Sequence, residues 1–211
     1  MPQSTNPETI LQIDKSTFIG KGRHRECYVH PEDPDKCVKI IVLGDQTETQ
    51  REQAYYRRLD RRKISWSMLS RYCGDVQTNM GPGAVFELVR DYNGEVSKPM
   101  TNYLPAADEP DADIDTLLNA ITTLKKYMLD QKIVTMTLQT KNILYQRTSP
   151  TDGKLVIVDG IGNSDYIPIC NYVGFMATIK IKRRWKRFEA FLLKNYGHNQ
   201  TLRRMLENNH T

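Results

Sequence analysis

The chain has 211 residues, 39% of them hydrophobic and 26% charged, with a formal net charge of +5. This is the size of one ordinary domain or of two compact lobes, with the composition of a globular protein toward the polar end of the range. No apolar run approaches the roughly 18 residues of a bilayer-spanning helix, and the start MPQSTNPETI lacks a basic segment followed by an apolar one, so no secretory signal is expected and the chain reads as cytoplasmic.

The first half reads as strands. Ser16 to Gly22 ends in a short apolar strand and two glycines, and Glu26 to Val29 is a second strand. The turn residues of HPEDPDK predict the hairpin that follows it. Cys37 to Leu43, CVKIIVL, is a β-rich run, apolar except for Lys39. A helix is predicted over Thr47 to Leu59, where Thr47 and Gln50 have capping-box spacing. A short helix is predicted around Trp66, Met68 and Leu69. Arg71 to Thr78 and Gly83 to Val89 read as paired strands around NMGPG. Asn93-Gly94 marks a further turn, and Lys98 to Asp113 is a connection with little regular structure.

The second half reads as helices. Ile114, Leu117, Leu118, Ile121, Leu124 and Met128 follow helical spacing. Asn142 to Tyr145 and Leu155 to Val158 form a predicted hairpin across RTSPTDGK. From Tyr172 a helix pair is expected. Cys27, Cys37, Cys73 and Cys170 lie far apart with no C-x-x-C pair, which favours reduced thiols over a disulfide framework or zinc site.

Lys39 is the first unusual residue, because an unpaired buried charge is expensive. A protein kinase places a strand lysine here to hold phosphates and a helix carboxylate to pair with it. Glu52 is the first choice for that carboxylate and Glu48, one turn earlier, the alternative. Gly20-Lys21-Gly22 precedes it between two strands, where backbone N–H groups can approach phosphates. Two glycines alone also suit an ordinary hairpin, and the third glycine of a kinase loop falls at Arg25. Arg23, His24 and Arg25 add positive charge over phosphates or form a solvated loop. The strand from Val85 to Val89 leads to an expected hinge, with Glu87 and Val89 as candidates for backbone hydrogen bonds to adenine.

The most specific segment is VTMTLQTKNIL, Val134 to Leu144. A kinase catalytic loop runs H-R-D-L-x-x-x-N into a short apolar strand, and Leu138 and Asn142 match it. Asp159 follows in VIVDGIG. An asparagine and an aspartate at the margins of one hairpin are expected to hold Mg²⁺ against ATP phosphates. The aspartate position of the loop is Thr137, preceded by Thr135 and Met136. A threonine hydroxyl is a poor general base at neutral pH. Gly160-Ile161-Gly162 replaces Phe-Gly after Asp159. The late basic cluster Lys180, Lys182, Arg183, Arg184, Lys186 and Arg187 suits an acidic partner or phosphates, or is a solvated helix face. Trp185 beside it packs on the core or against a nucleic-acid base.

The strings GKGRHRECYVHPEDPDKCVKI, QREQAYYRRL and KIVTMTLQTKNIL resemble the bacterial YrbL family, PhoP regulatory network proteins. The likeness runs from about Gly20 to about Pro168, with a looser basic helical end. It implies a protein-kinase-like fold and a link to the PhoP/PhoQ regulon, which responds to low magnesium and envelope stress. The expected architecture is α+β, with a strand-rich N-lobe over residues 1–98 and a helical C-lobe over 99–211. The expected function is ATP and Mg²⁺ binding, either in an atypical phosphotransferase or in a pseudokinase that presents a regulatory surface.

Overall fold

The computed structural model describes residues 10–22, 24–43, 47–104, 114–162 and 174–208. The architecture is α+β, with antiparallel sheet concentrated in the N-terminal part and helices in the C-terminal part. The chain divides into two compact units. One holds residues 1–50 and 70–88, the other residues 51–69 and 89–211.

The first unit is built on a sheet of β1 (Phe18–Lys21), β2 (Arg25–His30), β3 (Asp33–Ile41), β4 (Tyr72–Thr78) and β5 (Gly81–Glu87), in the order β1-β2-β3-β5-β4. Side chains alternate between faces along a strand. Tyr28, Val38 and Val85 lie opposite one another across β2, β3 and β5. With Ile40, Leu11 and Ile13 they form the apolar core on one face. Cys27, Lys39 and Ala84 form the next row and point to the other face.

The predicted hairpin is present, but its turn is shorter than the turn-rich stretch suggests. His30 already pairs with Asp33, and Val29 pairs with Cys37. The residues Pro34 to Lys36 are therefore absorbed into β3 as an irregularity. Pro34 is tolerated because it precedes Lys36, where pairing with β5 begins, so its missing N–H removes no bond from that ladder.

The second unit contains most of α1 (Thr47–Arg61), then β6 (Lys98–Pro99), α2 (Ile114–Gln131), β7 (Ile143–Arg147), β8 (Gly153–Ile157), α3 (Gly174–Tyr196) and α4 (Gln200–Asn208). β6, β7 and β8 form a small antiparallel sheet. The helical spacing read in α2 is its buried stripe, from Ile114 through Leu117, Leu118, Ile121 and Leu124 to Met128. This stripe packs on β8, and α3 and α4 also contact α2. Each fully buried leucine or isoleucine contributes about 1.5–3 kcal/mol relative to exposure.

The expected short helix around Trp66 does not form. The chain leaves α1 through Lys63, at φ 51°, and Leu69 forms a parallel bridge to Ile157 while the Met68 carbonyl accepts the Ile157 N–H. These backbone groups serve β8 rather than a helix of their own. Trp66 instead stacks on Tyr56 of α1.

The basic cluster on α3 also differs from the expectation. Lys180 is buried and Arg184 half-buried, while Lys182, Arg183, Lys186 and Arg187 are exposed. The helical period rotates the first two toward the core. Trp185 is buried against Phe188, so its ring is not available to a base. Its Nε1–H donates to Glu189 Oε1 at 2.8 Å, and Lys125 Nζ of α2 donates to the same oxygen at 2.9 Å. Cys27, Cys37 and Cys73 are free thiols, and Cys170 lies outside the described residues. No described helix is long and apolar enough to cross a membrane.

The expected turn at Asn93-Gly94 is tied to β7 by Asp91. Ser97 Oγ donates to Asp91 Oδ1 at 2.5 Å, and Arg147 Nε donates to Oδ2 at 2.7 Å. Burial alone would push this carboxyl up, but the bonds from Ser97 and Arg147 outweigh it and hold it below the usual carboxylate range. The contribution is present above the unfolded value near pH 3.9 and is lost as pH falls through the lower folded value. Arg147→Met should cost about 2 kcal/mol near pH 7, less than a fully buried pair, because the guanidinium side chain is 34% exposed. Urea unfolding of wild type and variant should show that difference at pH 7 and a smaller one at pH 3.

Candidate functional site

In the sheet unit, Lys39 lies between Cys27 of β2 and Ala84 of β5. Its side chain is 8% exposed. Phe86, two residues along β5 and on the same face, places its ring centroid 4.4 Å from Lys39 Nζ. The electron-rich ring face favours the ammonium by about 1–2 kcal/mol where water is excluded. The sequence places Phe86 in the strand leading to the expected hinge, without linking it to Lys39. Its signal was the two-residue period that puts it on the face of Lys39.

Gly20 pairs with Cys27, and the Gly22 N–H donates to the Arg25 carbonyl at 2.8 Å, closing the β1–β2 turn. A β-carbon at Gly20 would meet no described atom within 4 Å, and Gly20 does not have a positive φ. Neither local packing nor backbone conformation demands a glycine there. His24 Nδ1 lies 3.2 Å from the Leu43 carbonyl, and Arg23 lies outside the described residues.

The expected hinge residues are partly occupied by the protein itself. The Glu87 N–H donates to the Arg71 carbonyl at 2.9 Å, and its carbonyl accepts from Ser70 Oγ at 2.8 Å. In the other unit the Val89 carbonyl accepts the Ser97 N–H at 3.0 Å. A carbonyl oxygen has a second lone pair, so Val89 keeps acceptor capacity.

In the helical unit, Glu52 lies on α1 and is 2% exposed. It opens a buried stripe with Tyr55, Tyr56 and Leu59 at helical spacing. The side chain of Glu48 lies outside the described residues. A carboxylate in an otherwise aromatic and aliphatic stripe is costly unless something compensates it. Tyr55 was not singled out from sequence, although Glu52, Tyr55 and Leu59 share one helix face. Its hydroxyl accepts the Val134 N–H at 2.8 Å and holds the start of the catalytic-loop-like segment against α1.

That segment pairs with the residues after Asp159. The Met136 N–H donates to the Gly160 carbonyl at 2.8 Å, Thr135 bridges Ile161, and the Gly162 N–H donates to the Val134 carbonyl at 3.0 Å. The β7–β8 ladder extends one step further, with the Val158 N–H donating to the Asn142 carbonyl at 2.9 Å. Asn142 and Asp159 are thus delivered to one end of one hairpin. Asp159 Oδ1 accepts the N–H of Gly160 at 2.8 Å, which fixes the side chain against its own turn.

Gly160 brings these segments together. It has φ +77°, a region that favours glycine. A β-carbon there would lie 2.7 Å from the Thr137 carbonyl oxygen, 2.8 Å from Thr137 Oγ1 and 3.3 Å from Asn142 Nδ2. Thr137, Asn142 and the turn carrying Asp159 therefore meet at one point. Gly162, at φ +117°, lies against α1, with its β-carbon position 3.7 Å from Tyr55 Cβ and 4.0 Å from Glu52 Cα. Glu52, Thr137, Asn142 and Asp159 are gathered around one short stretch of chain. Among the described residues no group of three or more His, Cys, Asp or Glu side chains converges in a way that could hold a metal alone.

Two substitutions separate these glycines. Gly160→Ala adds left-handed strain and a clash with backbone, and should cost about 2–3 kcal/mol of stability. Gly20→Ala should change stability by no more than about 0.5 kcal/mol. Chemical unfolding of both variants measures the contrast.

The description PhoP regulatory network protein YrbL belongs to the family that matches residues 11–193, a longer span than the motifs alone covered. The protein YrbL of Escherichia coli (strain K12) is 37% identical over 184 residues, which covers 86% of this chain and 87% of that protein. YrbL of Shigella flexneri matches with the same identity and coverage. The chain belongs to the YrbL family of PhoP regulatory network proteins.

Proposed function

We propose that this chain has a protein-kinase-like fold and binds ATP with Mg²⁺ as its contribution to the PhoP regulatory network. The observation that carries the reading is the meeting of Thr137, Asn142 and the Asp159 turn at Gly160. It supports likening Asn142 and Asp159, at one hairpin margin, to the asparagine and aspartate of the kinase metal pair. Lys39 on the sheet unit supplies the cation for phosphate oxygens. Its burial makes that charge more effective than the same charge in water. Glu52 keeps the carboxylate role that the motif order assigns to it.

The donor set suits Mg²⁺. The Asn142 amide oxygen and the Asp159 carboxylate are hard oxygen ligands, and Mg²⁺ is held by one or two protein oxygens completed by phosphates and water. The small number of protein acids fits that mode better than a closed protein cage. When bound, Mg²⁺ would neutralise phosphate charge and fix its orientation. Asn142 and Asp159 would hold the ion from positions set by backbone pairing, and the Gly160 turn keeps a β-carbon away from Thr137 and Asn142. Gly20, half-buried on β1, adds no side chain where phosphates would approach.

Thr137 favours a second reading, a regulatory binding module without phosphoryl transfer. Its hydroxyl stays neutral at ordinary pH and does not take a proton from an acceptor as a carboxylate would. In this reading ATP orders the fold, and the exposed cations Lys182, Arg183, Lys186 and Arg187 face an acidic partner. Phosphoryl transfer depends mostly on positioning and electrostatics, so the missing carboxylate does not by itself decide between the two readings.

A thermal-shift titration tests nucleotide binding. ATP with Mg²⁺ should raise the melting temperature with occupancy. Lys39→Met and Asp159→Asn should each weaken apparent binding by about tenfold or more, equivalent to about 1.4 kcal/mol. No shift for the wild type at millimolar ATP and Mg²⁺ would sink the nucleotide reading. Incubation with ATP labelled at the γ- or α-phosphate then separates the two readings. A labelled product that disappears with Asp159→Asn identifies a transferase. Binding without any labelled product identifies the module.

A further inference from the structure

The hairpin register brings together two thiols that are ten positions apart in the sequence. Cys27 of β2 lies opposite Lys39 of β3, and Val29 lies opposite Cys37. Cys27 and Cys37 are therefore diagonal neighbours on adjacent antiparallel strands. Both point to the face that carries Lys39, because Cys37 and Lys39 are two residues apart on one strand. The side chains of Cys27 and Cys37 are hydrogen-bonded to each other. Cys37 is buried at 4% exposure, whereas Cys27 is half-buried. Gly20, the residue opposite Cys27 on β1, carries no side chain to cover it.

We propose that Cys27 and Cys37 form a reversible dithiol–disulfide pair, oxidised by a peroxide or a low-molecular-weight disulfide. The inference is independent of nucleotide binding. The chemistry follows from the unequal positions of the two thiols. Cys27 is the reachable sulfur. With a peroxide, its thiolate attacks one oxygen, the O–O bond breaks, and Cys27 becomes a sulfenic acid with release of water. The Cys37 sulfur then attacks the Cys27 sulfur, loses its proton and displaces a second water. Two thiols and one hydrogen peroxide give one disulfide and two waters. Each sulfur loses one electron, and the peroxide takes up both.

The environment suits the resolving role of Cys37. Its hydrogen bond with Cys27, followed by burial, pushes the Cys37 thiol well above its ordinary value, while the Lys39 charge pulls the other way. The more exposed Cys27 is therefore the sulfur oxidised first, and Cys37, as its thiolate, resolves the sulfenic acid. Diagonal strand positions have α-carbons about 7–8 Å apart on average, while a disulfide needs about 4.4–6.8 Å. Closing the bond draws β2 toward β3 at the row that contains Lys39. The resulting strain makes the bond readily reducible, as expected of a regulatory rather than a structural disulfide. Cys73 is exposed on β4 and has its own contact, with its thiol 3.7 Å from the Arg71 carbonyl, so it serves as an internal control.

The test is peptide mapping of the full chain. The protein is treated with hydrogen peroxide, free thiols are alkylated, and trypsin is added without reductant. Cleavage after Arg25, Lys36 and Lys39 separates the two cysteines onto different peptides. The expected species is residues 26–36 joined to residues 37–39, two hydrogens lighter than their sum, and lost after dithiothreitol. It should persist in Cys73→Ser and vanish in Cys27→Ser. Recovery of both Cys27 and Cys37 as alkylated thiols, under conditions that oxidise Cys73, would overturn the proposal. So would linkage of Cys27 to Cys73 or to a second chain, or a linked species that dithiothreitol does not reverse. The wild-type map decides the matter without relying on a variant that must fold.

Discussion

The backbone of Gly160 lies so close to Thr137 that a β-carbon would be 2.7 Å from the Thr137 carbonyl oxygen. The same glycine accepts the Met136 N–H and follows directly after Asp159. This contact locks the catalytic-loop-like segment to the end of the β7–β8 hairpin. Asn142 reaches the same point through the last hydrogen bond of the ladder, and Tyr55 holds the other end of the loop at Val134. The positions of Thr137, Asn142 and Asp159 thus rest largely on backbone bonds, and the Asp159 carboxylate adds its own bond from the Gly160 N–H. That arrangement requires glycine at one position.

Buried charge in this chain falls into two kinds. Glu189 and Asp91 are held by cations and neutral donors, Lys125 and Trp185 for one, Arg147 and Ser97 for the other. They tie helices or turns together and are adequately explained as structure. Lys39 and Glu52 are also buried, each beside apolar residues. Lys39 lies in a strand flanked by buried Val38 and Ile40, and Glu52 opens an aromatic stripe. Buried charges beside apolar side chains are candidates for function on energetic grounds.

Local patterns made much of the fold legible. The two-residue period and turn composition marked the strands from β1 to β5, and the stripe from Ile114 to Met128 marked α2. The errors share a cause. The stretch Pro34 to Lys36 looks like a turn, but pairing of His30 with Asp33 places it in a strand. The segment from Trp66 to Leu69 looks like a helix, but its backbone is used by β8. The α3 cluster looks uniformly basic and exposed, but the helical phase buries Lys180. In each case a partner distant in sequence overrode the local preference.

The candidate site divides in the same way. The sequence alone nominated the residues of the candidate site. A lysine in an apolar strand, an acid on the next helix, and an asparagine and aspartate flanking a hairpin are all visible from residue type and local period. Strand and helix periods are short-range, so a single stretch of chain encodes them. Only the tertiary structure decided that Thr137 and Asn142 close on Gly160, that Tyr55 holds Val134, that Phe86 receives the Lys39 ammonium, and that Cys27 meets Cys37. Those meetings depend on strand register and on pairings between segments up to about 80 residues apart, set by burial and backbone hydrogen bonding across the whole unit rather than by local residue pattern.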